Sequence, residues 1–285
     1  MTPYKNLHDA IENLESLPAI PHIAQKILSL KIATDKDERA LFKLIEEDPI
    51  ILSKVIGLAN SPVYGTDRKI LTLHDAAAVL GSKRIKMSAL SLSMMTSLKR
   101  RPPGRLDVEK LWQHSLSVAV TMDTLARFMP VALRPSDEEI YLAGLLHDIG
   151  LLVLDFIAPK LSDQLHTRLL AEPECSMEEM EAKLLEMSHS ELGAQLASHW
   201  ALPETLVAVL RGHHAEGVEQ SKSVIALTAM LRLAAKLLAD TGIFETADKE
   251  IRIEDWQTLS IDPLKAEDIV AKVEDHIKNI EPSAI

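Results

Sequence analysis

The chain has a single cysteine, Cys175, so it cannot form an internal disulfide, which fits a reducing compartment. Aromatic residues are only 4% of 285, although the apolar share is 47%. A core must therefore be filled by Leu, Ile, Ala, Val and Met, and of these Leu, Ala and Met are strong helix formers. Basic excess is also lacking. A net charge of -11 argues against broad nucleic-acid binding, which needs a positive footprint, but leaves room for a local basic patch. No apolar run is expected to be long enough to span a bilayer, since Ile140 to Phe156 is interrupted by His147, Asp148 and Asp155. Nor does the N-terminus, Met1 to Asp9, contain the apolar core of a signal peptide. The sequence reads as soluble and cytoplasmic, with no membrane partner and with nucleic acid disfavoured.

What is present is helical periodicity. Leu17 to Pro21 forms a stiff lead-in to a helix, and Leu41, Leu44 and Ile45 make an i, i+3, i+4 stripe. Asp48-Pro49 pairs an N-cap with proline at the first helical position, predicting a helix to about Asn60, where Ser61-Pro62 stops it. Two more helices are predicted over 75–80 and 83–98, broken at Gly81-Ser82. Arg100 to Arg105, with two prolines and a glycine, is the best domain boundary, dividing 1–104 from 105–285. Later helices are predicted over 108–129, 137–156, 158–170, 177–185, 189–200, 203–212, 224–240 and 266–280. No segment alternates in the manner of a strand, so the fold class is all-α: an N-terminal helical lobe and a larger C-terminal bundle.

Among eleven histidines, His8, His22, His74, His166 and His276 lie in polar or amphipathic surroundings and read as surface or cap residues. His199 precedes Trp200 at a helix end, where a positive tip suits the dipole. Five others differ in kind. His147 stands beside Asp148 in the apolar run Ala143-Gly144-Leu145-Leu146-His147-Asp148-Ile149-Gly150. Burying such a pair is costly unless something satisfies it. His114 lies on a long helix, His189 opens one, and His213-His214 closes another. Bundles build metal sites from residues on facing helices in this way. Imidazole and carboxylate suit zinc, iron, manganese or nickel, and a carboxylate can bridge two ions. Taken singly, each histidine has a structural explanation: Ser188-x-x-Glu191 is a capping-box pattern, and His213-His214 would favourably oppose a helix C-terminus. The basic cluster Lys83, Arg84, Lys86, Lys99, Arg100, Arg101 and Arg105 could meet an anionic partner, but reads better as a solvated helix face plus a charged linker.

Further motifs occur in a telling order. Asp48-Pro49-Ile50-Ile51-Leu52-Ser53-Lys54-Val55 leads to Leu58-Ala59-Asn60-Ser61-Pro62-Val63-Tyr64-Gly65, and Ala76 to Gly81 follows. Next come Ala143 to Gly150, His189-Ser190-Glu191-Leu192-Gly193-Ala194 and Trp200-Ala201-Leu202-Pro203 before His213-His214. With His114 ahead of His147-Asp148, the series resembles the HDOD domain, a bacterial relative of the HD-GYP phosphodiesterases within the HD phosphohydrolase superfamily. The resemblance covers roughly Leu14 to Leu238.

It implies an all-helical fold, with a helical lobe beside an HD-like bundle, and a place in bacterial signalling, often downstream of a receiver domain in a two-component system. HD-GYP enzymes hydrolyse cyclic di-GMP at a two- or three-metal centre, whereas HDOD proteins act as regulatory or scaffolding modules. His147, Asp148, His189, His213 and His214 match metal positions of the HD-GYP pattern, and His114 matches its first histidine. Three features depart from it. Leu231, in Ala229-Met230-Leu231-Arg232-Leu233-Ala234, falls where the superfamily has a late aspartate. Leu151 replaces a lysine that follows the HD pair, and Ala215-Glu216-Gly217 stands where the glycine-tyrosine-proline loop would be. The expectation is a non-catalytic response-regulator type of module that binds a signalling protein or a small nucleotide. The alternative is a metal-dependent phosphohydrolase acting on a nucleotide or cyclic dinucleotide.

Overall fold

The computed structural model describes residues 17–65, 68–99, 102–172, 174–214, 221–238 and 249–278, and within them every regular element is a helix. The fold class is all-α, as the periodicity predicts. His8, Arg100, Arg101, the 215–217 stretch and the predicted ends at 239–240 and 279–280 lie outside the described residues.

One compact unit is formed by Ile20–Ser97, joined by the end of the last helix from Glu274. It contains α1 (His22–Ser29), α2 (Asp35–Glu46), α3 (Pro49–Ala59), α4 (Leu73–Leu80) and α5 (Ser82–Ser97). The caps follow from sequence: Thr34 and Asp37 form a capping box, and Asp48 accepts from the N–H groups of Ile50 and Ile51 at 2.9 and 3.2 Å. Leu41 and Ile45 of the predicted stripe are buried. Gly81, at φ +81°, breaks α4 from α5 in a left-handed conformation that favours glycine. Helix α5 is the centre of this unit. It packs against α1, α2, α3 and α4, and every residue from Ile85 to Met95 is buried. That corrects the reading of Lys86 as part of a solvated face, because its side chain is buried with the rest of the helix.

The second unit, Leu98–Val273 with residues up to Ala19, carries α6 (Val108–Ala126), α7 (Asp137–Leu146), α8 (Ile149–Ile157), α9 (Pro159–Ala171) and α10 (Met177–Leu184). It continues with α11 (His189–His199), α12 (Glu204–Gly212), α13 (Lys222–Leu237), α14 (Ile253–Thr258) and most of α15 (Ala266–Lys278). Helix α14 has no counterpart among the helices predicted from sequence. The main packing pairs are α6 with α7, α8 with α11, and α11 with α12, while α13 lies on α6 and α12. The Trp200 indole N–H donates to the Pro18 carbonyl at 2.8 Å, tying the stiff lead-in to this unit.

Two expectations about 137–156 are corrected. The single helix is two, because Asp148, at φ -99° and ψ 14°, leaves the helical region. The segment 137–157 also has the length and mean hydropathy, 1.8, of a bilayer span, but 89% of that window is buried within the protein, as in a core element. His166, read as a surface residue, is half-buried, its Nδ1 2.8 Å from the Ser162 carbonyl.

Candidate metal centre

The six predicted site residues come from five helical segments and meet in one place. Two glycines permit this. A Cβ at Gly144 would lie 2.5 Å from the Cα of Ala119, so only glycine lets α7 approach α6, the helix that carries His114. A Cβ at Gly150 would collide with the backbone carbonyl of His189, so only glycine lets α8 approach the start of α11. The break at Asp148 matters equally. Consecutive residues of an unbroken helix point about 100° apart. Leaving the helix between α7 and α8 turns His147 and Asp148 toward a common centre.

Asp148 is that centre. Its Oδ1 lies 3.4 Å from His189 Nε2 and 3.7 Å from His213 Nε2. Its Oδ2 lies 3.3 Å from His147 Nε2 and 3.8 Å from His114 Nε2. His214 closes the cluster, with Nε2 3.2 Å from that of His189, and His189 and His213 Nε2 are 3.3 Å apart. All are buried except His214, which is half-buried. Two sets of possible ligand atoms, each within 4.8 Å, share the Asp148 carboxylate: Asp148, His189, His213 and His214, and His114, His147 and Asp148. A shared carboxylate is what a pair of ions requires.

The rings are aimed from behind. His147 Nδ1 donates to the Gly144 carbonyl at 2.9 Å, and His213 Nδ1 to the Leu210 carbonyl at 2.7 Å. Because a carbonyl only accepts, both rings carry their proton on Nδ1 when neutral and present an Nε2 lone pair to the centre. His189 Nδ1 meets both Glu181 oxygens at 2.9 and 3.0 Å, while Glu181 also accepts the backbone N–H of His189 at 3.0 Å. His214 Nδ1 is 2.6 Å from Glu178. Such outer partners orient metal-binding histidines.

The predicted capping box at Ser188 forms only in part, and His213 does stand at the end of α12. Ser188 does cap α11, accepting from Glu191 N–H at 3.3 Å, but the Glu191 carboxylate turns to Arg211 instead of completing the box. Glu178 and Glu181 went unread in the sequence. Their signal was an acidic residue in an apolar stripe: Met177, Met180, Glu181 and Leu184 form the buried face of α10.

The electrostatics are strongly perturbed. Burial opposes the Asp148 charge, yet His147, and then His189 and His213, hold its carboxyl well below the usual carboxylate range. Burial also opposes a charged His189, but the Glu181 and Asp148 carboxylates push it up to about 10. His213, buried beside His214, His189 and His147, is pushed down to about 3. The contacts of Asp148 are attractive, but among the described residues neither of its buried oxygens has a hydrogen-bond partner. Buried carboxylate oxygens ringed by imidazole nitrogens fit a divalent cation of the zinc, iron, manganese or nickel type.

An all-helical bundle with His-Asp at a break between two helices, ringed by histidines from its neighbours, is an arrangement of the HD class. The chain belongs to one family within that class: residues 17–216 match the HDOD domain. An uncharacterized protein of Treponema pallidum (strain Nichols) is 24% identical over 237 residues, which are 81% of this chain but 45% of that protein. A Marinobacter aquaeolei VT8 structure, named "Putative signal transduction protein", is 26% identical with a TM-score of 0.79, covering 97% of this chain and 63% of that one. This chain thus spans only about half to two-thirds of the length of these two. An HDOD domain protein of unknown function from Geobacter sulfurreducens has the same fold, with a TM-score of 0.70 at 24% identity over 95% of this chain and 98% of that one.

Proposed function

We propose that the chain is a signalling module built around a bound divalent metal ion, and that the ion is held for structure or sensing without turnover. The observation that carries this reading is the orphaned Asp148 carboxylate among aligned Nε2 atoms. Asp148, His147, His189 and His213 would hold the ion, with His114 and His214 at either side. The family assignment and the signal-transduction name of the Marinobacter relative support the signalling role.

Against turnover stand Leu231 and Leu151, both buried, which can supply neither a ligand nor a cation for phosphate. Burial of five of the six site residues also leaves little access for a substrate. As output, the module would contact a signalling protein such as a receiver domain, or take up a small nucleotide. The full histidine set favours a second reading, in which the centre hydrolyses a nucleotide or cyclic dinucleotide. A bound ion would supply Lewis-acid polarisation of a phosphate oxygen or of water.

Elemental analysis of tag-free protein, loaded with manganese or iron, tests the first reading. About one or two ions per chain are expected, with loss in His147→Ala and Asp148→Ala; no bound ion after loading would overturn it. Metal-stimulated product from cyclic di-GMP or nucleotide monoesters would instead establish the second.

A further inference from the structure

We propose that a cavity away from the histidines in sequence is a binding site for a small organic phosphate. The cavity, about 540 Å³, lies between the turn at 131–135, the first turns of α7 and α13, and the end of α14. This volume is within the usual range for small-molecule sites. Its apolar wall is made by Leu133, Pro135, Ile225, Ala226 and Leu259. Leu133 and Ile225 remain 49% and 46% exposed, an unused apolar surface beside the opening.

The polar wall has donors in excess. Arg134, Lys222 and Ser223 line it. The Arg134 Nε and the Ser223 hydroxyl are buried atoms with no hydrogen-bond partner among the described residues. No ion pair involves Arg134 or Lys222 there, although the chain carries 42 acidic against 31 basic side chains. Other cations of the same unit do have acids: Arg211 holds Glu191 and Lys236 holds Asp255. Two unpaired cations sharing a cavity on an acidic protein call for an anion from outside.

The donor set selects phosphate over carboxylate. A phosphate monoester carries nearly two charges and several acceptor oxygens, which match a guanidinium, an ammonium and a hydroxyl together. The first N–H groups of α13, a 16-residue helix, add their positive end to the same wall. Among the described residues the one carboxylate lining the cavity, Glu139, is committed to the Ser136 backbone N–H and hydroxyl at 3.0 and 2.7 Å. The apolar wall requires that the phosphate carry an organic body. Helices α7 and α13 both begin at this cavity. One leads to His147, and the other carries Arg232, which donates to the His213 carbonyl at 3.0 Å. A ligand here therefore rests on the elements that carry the metal centre.

Titration calorimetry of the full chain with phenyl phosphate tests the proposal, in metal-loaded and in chelator-treated protein. Phenyl phosphate should bind in both states with a dissociation constant of about 1 mM or tighter, and more tightly than inorganic phosphate or benzoate. Arg134→Gln and Lys222→Ala, at a partly exposed and an exposed position, should each weaken it by about tenfold or more. Four results would overturn the site: no heat at about 10 mM ligand, binding unaltered in Arg134→Gln and Lys222→Ala, binding lost after metal removal, or benzoate binding at least as tightly as phenyl phosphate.

Discussion

Helix α5 and the α7–α8 pair are the two most deeply buried stretches of their units, and both carry polar side chains into the core. They resolve the problem differently. In α5 the polar groups are mainly hydroxyls. At its less buried end, Thr96 and Ser97 bond back to the carbonyls of Leu92 and Met94 at 2.8 and 2.7 Å, the local bond that a helical hydroxyl can make. Where that fails, at Ser88 and Ser91, a neutral hydroxyl is left over at a cost of only about 1–3 kcal/mol. In α7–α8 the polar groups are an imidazole and a carboxylate. Unlike Asp48 at its helix start, Asp148 accepts no backbone N–H at the start of α8, and an uncompensated buried charge costs about 3–5 kcal/mol. The second region is therefore organised around a carboxylate ringed by histidines, which a divalent cation would suit, and the first is not. A buried polar residue points to function when its chemistry cannot be satisfied locally.

The largest expected break of that contrast is Gly150→Ala. The added methyl has nowhere to go but into the His189 carbonyl, so α8 and α11 must separate. Overpacking of this kind costs about 1–3 kcal/mol, and the separation should abolish metal retention. Elemental analysis with a thermal melt checks both. A variant that keeps full metal would show that the close approach of α8 and α11 is not what assembles the centre.

Glu181→Gln comes next. It keeps the shape but removes the charge behind His189, and outer partners of this kind are worth about 10–100-fold in metal affinity. Competition with a chelating dye measures the change. Glu178→Gln, behind the half-buried His214, should cost less.

The pH dependence follows in size. His189, held at about 10 without metal, carries a proton at neutral pH, and its Nε2 cannot hold both that proton and an ion. His213, at about 3, is already neutral and releases none. Metal binding near pH 7 should therefore release about one proton from this centre. Affinity should rise about tenfold per pH unit as pH increases toward 10 and fall on acidification. Calorimetry in buffers of different ionisation enthalpy reads the proton directly. Release of none would mean that His189 stands outside the coordinating set.

Much of this was legible in the sequence for a physical reason. Periodicity and caps are local, so Asp48-Pro49 and Gly81 mark a helix start and a helix stop that the fold repeats. The histidines were legible because His147-Asp148 stands in an apolar run and the others lie on a long helix or at helix ends. The break at Asp148 was not, since nothing from Leu145 to Ile149 is glycine or proline; tertiary convergence on Asp148 overrides local propensity there. Glu181 hid among Glu178 and Glu179, where only the stripe of buried positions distinguishes it. Lys86 was misplaced because a run of three basic residues in four suggests a surface, while α5 beyond it is core as far as Met95.

The smallest effect should come from the first region. Ser91→Ala removes a buried hydroxyl that has no partner, so it deletes an unmet desolvation cost and leaves no cavity larger than one oxygen. Stability measured by urea unfolding should be unchanged or raised by up to about 1 kcal/mol, and metal content should not move. Asp148→Ala sets the opposite case: it too removes buried polar atoms, but it should abolish metal binding as well. If Ser91→Ala destabilised the protein as strongly as a cavity mutation, α5 would hold a polar network of its own, and the distinction between locally satisfiable and ligand-requiring groups would fail at its simplest test.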